Sequence, residues 1–508
     1  MIRLDDATWT YPHAATPSVA HLTLQIGTGE LVVLCGASGS GKSTALRLMN
    51  GLLPHFHDSG TLTGTVVVHG MRTTDVPLDA IGAVTGTVLQ HPRRQFFTDS
   101  VPAEIAFALE NLGHPPALIR TQVHHTLREL EACVPVEQPL THLSGGQQQQ
   151  VAIAAAIAHD PAVLLLDEPS ANLSPDAVEN LASTLAALKQ RGITIVVAEH
   201  RLRYLKGLAD RVVLMRHGSV SQEWSAEEFR SVSDADLAHE GLRGRIRTPR
   251  LPELPAAGGS VPHPGTRAED GGAGLVVTDL RCRLGARTVL DLEQVCFPAG
   301  SVTAVRGSNG AGKSTLARIV TGLQRASGRL QLDGCSLSRR ARQRASALVM
   351  QDVQRQLFTE TVAAEVELAA LGMSPKPDPQ IMLAALDLDQ LADRHPLSLS
   401  GGEQQRLVVA AVRASERRIV VFDEPSSGVD RRHLQSIADQ IRQVAAGGAV
   451  VLLISHDDDL LGLAADHQLT LTPPGGPRGT EALPALPALP ARPARAAAHP
   501  RPVTEDAP

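Results

Sequence analysis

The sequence predicts an α/β fold built twice in tandem, each copy resting on a mainly parallel sheet. Three observations carry that prediction. The glycine-rich stretch GASGSGKST at Gly36–Thr44 recurs as GSNGAGKST at Gly307–Thr315. Three further segments recur in the same order: LSGGQ at Leu143–Gln147 and LSGGE at Leu399–Glu403, LLLDEPS at Leu164–Ser170 and VVFDEPS at Val420–Ser426, and an apolar run closing on His200 and on His456. Within each half, short β-branched runs end in glycine-rich turns and alternate with helical patterns, as where Leu31–Leu34 feeds Thr44–Asn50. Spacing matches as well as order. Ser144 to Asp167 and Ser400 to Asp423 are each 23 residues, and Glu168 to His200 and Glu424 to His456 are each 32. Such agreement marks an internal repeat.

The repeat divides the 508 residues into a first domain over 1–242, a linker over 243–274, a second domain over 275–472 and a tail over 473–508. The linker is dominated by proline, glycine and charge, so it reads as a flexible chain with a reach of roughly 30 Å. The tail, ALPALPALPARPARAAA at its centre, reads as disordered or locally polyproline-like. A net charge of -6 without a block of like charges, with 2% aromatic residues, excludes an evident nucleic-acid surface. Cys35, Cys133, Cys282, Cys296 and Cys335 show no metal or disulfide spacing and read as small buried hydrophobes. The longest apolar runs, Val163–Leu166 and Ala449–Ile454, have strand length and fall well short of the ~20 residues of a membrane span. The N-terminus lacks the basic-then-apolar pattern of a signal peptide. Any service to a membrane is therefore expected to come through docking onto other chains.

The glycine-rich stretches match the Walker A pattern, and the chemistry follows from the residue types. Gly36, Gly39 and Gly41 with Ser38, and Gly307, Gly310 and Gly312 with Asn309, let successive backbone N–H groups turn inward around phosphates. A helix N-terminus adds its dipole over Thr44 and Thr315. Lys42 and Lys313, two of only five lysines, would reach the outer phosphates of ATP, and Ser43 and Ser314 would ligate Mg²⁺. Asp167 and Asp423 end buried strands and would hold the metal. Glu168 and Glu424 follow them and would polarise the attacking water.

With the LSGG segments in register, both halves resemble the ATP-binding cassette (ABC) ATPases over nearly all of residues 1–472. The resemblance implies two P-loop NTPase domains, each with a RecA-like core, an antiparallel β subdomain and a helical signature subdomain. It implies that Ser144, Gly145 and Gly146 close over the ATP of the second half, and Ser400, Gly401 and Gly402 over that of the first. Gln90 and Gln351 resemble the Q-loop glutamines that sense Mg²⁺ and the transporter. His200 and His456 resemble the switch histidines, and Tyr11 the aromatic that stacks on adenine, with Trp9 read as packed.

The two halves depart from the family pattern unequally. Gln150 stands where arginine is usual and Ser174 where aspartate is usual, while the second half keeps Asp430 but offers only Arg283 or Leu284 for adenine. The intact features gather on one composite site, so asymmetric hydrolysis with the first site dominant is expected.

After each Q-loop glutamine, QHPRRQFFTDSV and QDVQRQLFTETV place a second glutamine (Gln95, Gln356), two apolar residues, threonine, an acid, Ser/Thr and valine. This resembles the Q-helix of energy-coupling factor (ECF) ATPases, as the AEHR segment Ala198–Arg201 resembles first cassettes of fused members. The resemblance implies a subunit at the cytoplasmic face of the cell membrane powering uptake of a vitamin or of cobalt or nickel ions. Its partners would be a membrane T component and a substrate-binding S component, with no nucleic acid. The alternative is a soluble tandem ABC ATPase acting on ribosomes or DNA. Against it stand a Pro/Gly-rich linker in place of a long charged helix, and the lack of zinc cysteines or coiled coils.

Overall fold

In the computed structural model the described residues are 1–473, apart from 13, 15, 57, 58, 131–133, 172, 243–248, 255–273, 286, 309, 351, 352 and 427–430. The first repeat centres on six strands in the spatial order Ser219–Ser225, Arg211–Arg216, Leu31–Cys35, Thr194–Ala198, Val163–Asp167, Thr85–Val88. Only the Ser219–Ser225 strand runs antiparallel to its neighbour. The second repeat centres on five parallel strands, Ser346–Val349, Ile419–Asp423, Val450–Ile454, Val302–Arg306, His467–Thr470. Leu31–Cys35 and Val450–Ile454 are buried at every position. That is why they read as unbroken apolar runs: helices and a second sheet cover both faces.

The period of two sorts the side chains. Val32 and Leu34 join Ile2, Leu4, Trp9 and Ile26 of the antiparallel sheet, while Leu31, Val33 and Cys35 join Ala152, Ile153 and Leu181 from helices on the opposite face. The antiparallel sheets have four strands each, ordered Val19–Ile26, Ile2–Thr10, Thr61–Val68, Met71–Arg72 and Arg287–Pro298, Gly274–Leu284, Ser327–Leu332, Cys335–Ser336. A helical layer completes each repeat. In the first, Val101–Asn111 and Pro116–Leu130 pack through Ile105, Leu109 and Leu130 onto Val151 and Ala154 of the helix Gly145–Ile157.

The cysteines divide by layer. Cys35 and Cys282 are buried as expected, and Cys296 is partly so. Cys335 departs from the expectation and is exposed, because its two-residue strand forms the open edge of the second antiparallel sheet. Cys133 lies outside the described residues.

Part of the stretch read as flexible linker is tied down. Leu254 N–H donates to the Gln468 carbonyl at 3.0 Å, and Gln468 N–H donates to that of Pro252 at 2.8 Å. Leu251 and Leu254 pack against the core of the second repeat. The apolar residues of this proline-rich segment explain the attachment: its backbone pairs with the edge strand His467–Thr470 while its leucines leave water. Residues 243–248 and 255–273 of the linker, and the tail from 474, lie outside the described residues. Among the described residues no helix is long and apolar enough to cross a membrane.

Polar contacts join the repeats. Arg94 Nη2 donates to Gln354 Oε1 at 2.7 Å, and Arg201 Nη2 lies 3.6 Å from Asp457 Oδ2.

Candidate functional site

Each P-loop is a strand-to-helix turn. Gly36, Ser38 and Gly39 lie between the strand Leu31–Cys35 and the helix Lys42–Met49, which continues through Thr44. Gly41 caps that helix at φ 96°, and a Cβ there would sit 2.4 Å from the Ser18 carbonyl oxygen. Only glycine fits both the conformation and the space. Gly307, Gly310 and Gly312 repeat the turn before Lys313–Val320, with Ser314 and Thr315 in its first turn. Asn309 and Gln351 lie outside the described residues.

Lys42 Nζ bends over its loop, donating to the carbonyls of Gly36 at 2.9 Å and Ala37 at 3.0 Å. Lys313 Nζ donates likewise to Gly307 at 2.6 Å and Ser308 at 3.2 Å. Ser43 Oγ donates to Asp167 Oδ1 at 2.9 Å, and Ser314 hydrogen-bonds Asp423 in the second repeat. Hydroxyl and carboxylate oxygens converging beside a P-loop form a hard donor set suited to Mg²⁺, which needs one or two such protein ligands and takes the rest from phosphate and water.

Glu168 and Glu424 occupy the left-handed region, at φ 45° and 55°. The turn is pinned by their own N–H groups, which donate to Ala198 at 2.8 Å and Ile454 at 2.9 Å at the ends of the adjacent strands. This conformation is costly for a non-glycine residue and aims each carboxylate at its P-loop.

The two glutamates then diverge. Glu168 Oε2 accepts from Gln90 Nε2 at 2.7 Å, and its Oε1 lies 3.0 Å from His200 Nε2. Burial alone would raise its pKa, but His200, Lys42 and Gln90 outweigh it and hold the carboxyl down at about 2. Neighbouring Asp167 is pushed up to about 6 by burial and then by the Glu168 charge. Among the described residues, which exclude Gln351, Glu424 meets a different set of partners. Ser455 Oγ donates at 3.2 Å and His456 N–H at 3.1 Å, while the His456 ring stands off at 3.9 Å. Burial, then repulsion from Asp423, pushes Glu424 up to about 7. Burial, then Lys313 and Arg201, drives His456 down to about 4.

Ser144 and Ser400 cap the helices Gly145–Ile157 and Gly401–Ala414 through complete capping boxes with Gln147 and Glu403. Gly145 and Gly146, and Gly401 and Gly402, form the first positions of those helices. A Cβ on Gly146 would fall 2.8 Å from Ala177, whereas Gly401 faces open space. Tyr11 is half-buried, edge-on to fully buried Trp9 at 5.8 Å, with its hydroxyl 3.3 Å from Arg47 Nη1.

A glycine-rich turn, a lysine curled over it, a Ser–Asp oxygen pair and a glutamate facing a histidine recur in both halves, and the comparisons with known proteins agree. The family model described as ABC transporter matches residues 19–171 and 291–427. The chain belongs to the ABC transporter family. A Treponema denticola ABC transporter ATP-binding protein is 37% identical over 475 residues, 93% of this chain and 95% of that one. A Streptomyces avermitilis protein of the same description is 33% identical over 91% of this chain and 90% of its own length. The structure of ribosome-bound archaeal Pelota and ABCE1 aligns over 92% of this chain and 76% of its own, with 20% identity and a TM-score of 0.64, a likeness of fold. The chain is thus an ATP-binding ABC ATPase of two cassettes.

Several departures from the family pattern have local structural roles. Gln150 accepts from Thr184 Oγ1 at 3.2 Å, where its counterpart Arg406 donates to the Leu386 carbonyl at 2.9 Å. Ser174 caps the helix Pro175–Gln190. Asp430 lies outside the described residues. Gln95 and Gln356 are structural: each side chain bridges the backbone at the end of its own strand, to Leu89 and Thr87 and to Met350 and Leu348.

Four residues of the switch region, Glu199, Arg201, Ser455 and Asp457, were given no individual role from sequence. Buried Glu199 accepts from the N–H groups of His200 at 2.8 Å, Arg201 at 3.1 Å and Ser170 at 3.3 Å, and from Tyr204 Oη at 3.0 Å. Ser455 takes its place in the second cassette, and Arg201 reaches across to Asp457. The AEHR segment was the only signal for Glu199 and Arg201, and it carries no role without the fold.

Proposed function

We propose that this ABC ATPase powers import through a membrane transporter of the ECF type, taking up a vitamin or cobalt or nickel ions from the cytoplasmic face of the cell membrane. The observation that carries the reading is a pinned turn repeated in both cassettes. Buried Glu104 accepts from the N–H groups of Phe97 and Thr98 and from Thr98 Oγ1, at 2.9–3.1 Å. Glu365 does the same for Phe358 and Thr359, at 2.8–3.0 Å. Each turn leaves its phenylalanine outside: Phe97 is 73% and Phe358 76% exposed. A rigid turn that holds a large apolar ring in water suits a partner helix. It stands a few residues past the Q-loop, where a partner's movement reaches the glutamine that touches Glu168.

In this reading ATP lies on each P-loop with Lys42 or Lys313 on its outer phosphates. Mg²⁺ would be held by Ser43, Gln90 and Asp167 in the first site and by Ser314, Asp423 and, as expected from the sequence, Gln351 in the second, and would neutralise phosphate charge. Glu168 and Glu424 take the proton of the attacking water, and His200 and His456 contact the γ-phosphate. Each signature closes over the opposite nucleotide, and differential affinity of ATP for the closed dimer moves the T component. The first site, to which Tyr11, the second signature and Asp430 bring the complete set of family features, dominates turnover. An S component selects the cargo.

Affinity purification from host membranes in mild detergent, followed by mass spectrometry, tests this. Recovery of a polytopic T component with a small membrane protein supports it. Recovery of ribosomes or DNA-repair proteins with no membrane partner overturns it in favour of a soluble tandem ATPase, and leaves the ATPase assignment standing.

A further inference from the structure

We infer that Arg201 and Asp457 form a link between the two switch loops through which nucleotide at one site changes the affinity of the other. Arg201 directly follows His200, and Asp457 directly follows His456. They hold equivalent positions in the repeat, so the pseudo-two-fold relation of the cassettes sets each against its own counterpart. In a two-fold dimer of identical chains that contact would be between like residues. A tandem chain is free to make them opposite, and here they are arginine and aspartate, 3.6 Å apart, with the Asp457 side chain 1% exposed.

Both ends of the link are anchored to catalytic apparatus. Glu199 fixes the backbone of His200 and Arg201 together, so a shift of the Arg201 guanidinium is transmitted to the ring that touches Glu168. On the far side Asp457 caps the helix Asp458–Ala464 by accepting from Asp459 and Leu460, and its own N–H donates to Ser455 Oγ at 3.0 Å. That hydroxyl in turn donates to Glu424 at 3.2 Å. A continuous route of hydrogen bonds and one ion pair therefore joins Glu168 to Glu424. Intermediate position alone does not establish coupling, which must be measured as a change in affinity.

The test uses the full chain in two backgrounds. Lys313→Ala empties the second site; Glu424→Gln leaves it filled without hydrolysis. In each, the dissociation constant of the first site for a non-hydrolysable ATP analogue is measured at equilibrium, and the ratio between backgrounds is the coupling factor. Counts of one and two bound nucleotides check the site assignment independently. With Arg201 and Asp457 intact the ratio is expected to differ from one by at least about fivefold. Arg201→Gln and Asp457→Asn should each bring it close to one, and Arg201→Lys should retain much of it. Asparagine caps helices as well as aspartate, so Asp457→Asn removes the charge while keeping the fold. A ratio of one in the parent backgrounds, or a ratio unchanged in both Arg201→Gln and Asp457→Asn, would overturn the inference.

Discussion

Replacing the two Walker B glutamates by glutamine should move the stability of the ligand-free protein in opposite directions, although the substitution is chemically the same. Glu424 rises from 4.5 to about 7 on folding. Such a group stabilises the fold fully below its unfolded pKa and loses that contribution as pH climbs through the folded one. At about 1.4 kcal/mol per unit, ionising buried Glu424 costs about 3 kcal/mol by pH 8.5. Glu424→Gln should therefore match the parent near pH 5 and exceed it at pH 8.5. Glu168 falls from 4.5 to about 2, so its contribution is present above the unfolded pKa and is lost only in strong acid. Glu168→Gln should destabilise across pH 5.5–8.5 by up to about 3 kcal/mol. That figure is an upper limit, because removing the Glu168 charge also relieves Asp167 beside it. For domains of this size 1 kcal/mol shifts the midpoint by about 2–4 °C, so calorimetry in chelator at pH 5.5 and 8.5 resolves both effects. Shifts of the same sign at pH 8.5 would refute the electrostatic asymmetry.

The remaining expectations concern turnover, docking and local packing. In the assembled complex Glu168→Gln should cost considerably more ATP turnover than Glu424→Gln; equal losses would remove the dominance of the first site. Phe97→Asp with Phe358→Asp should abolish recovery of the membrane partner while leaving the thermal midpoint within about 1–2 °C, since both rings are exposed. Undiminished capture would dismiss the turns as the docking surface. Glu104→Ala strands three donors around a buried carboxylate site and should cost about 2–3 kcal/mol in denaturant titration. Gly41→Ala should abolish nucleotide binding by equilibrium dialysis, because its Cβ would meet the Ser18 carbonyl at 2.4 Å.

The parts of the site that read clearly from sequence are those whose chemistry is local. The P-loop turn, the Asp–Glu pair at a strand end and the serine cap of the signature helix each occupy a few consecutive residues, and their backbone demands dictate residue type directly. His200 was legible only through matched spacing in two halves and Gln90 only through the family resemblance, since nothing in either residue points at Glu168 from 32 and 78 positions away. Glu199 was illegible for a different reason: a carboxylate beside a switch histidine reads as another candidate base, and only the structure turns it inward onto backbone N–H groups. Gln95 and Gln356 illustrate the reverse. Their recurrence drew attention as a functional mark, and their hydrogen bonds are spent on holding the Q-loop to its own strand.

Two of the differences between the cassettes lie in the switch loops, where the chain meets itself. The P-loops and Ser–Asp pairs are near copies, although the first central sheet has six strands and the second five. Glu199 against Ser455 and Arg201 against Asp457 differ in charge, and all four lie in the switch loops. The cores of the two halves solve one packing problem twice and have little reason to diverge. Across a pseudo-two-fold contact, however, identical residues oppose one another, and a like-charged pair there would repel. Joining the cassettes in one chain removes that constraint at the contact and nowhere else. The catalytic glutamates differ electrostatically too: His200, Lys42 and Gln90 hold Glu168 down against its burial, whereas burial and Asp423 push Glu424 up. Arg201 lowers and Asp457 raises the Glu424 pKa, so variants at these two positions should alter the inequality of turnover along with the coupling.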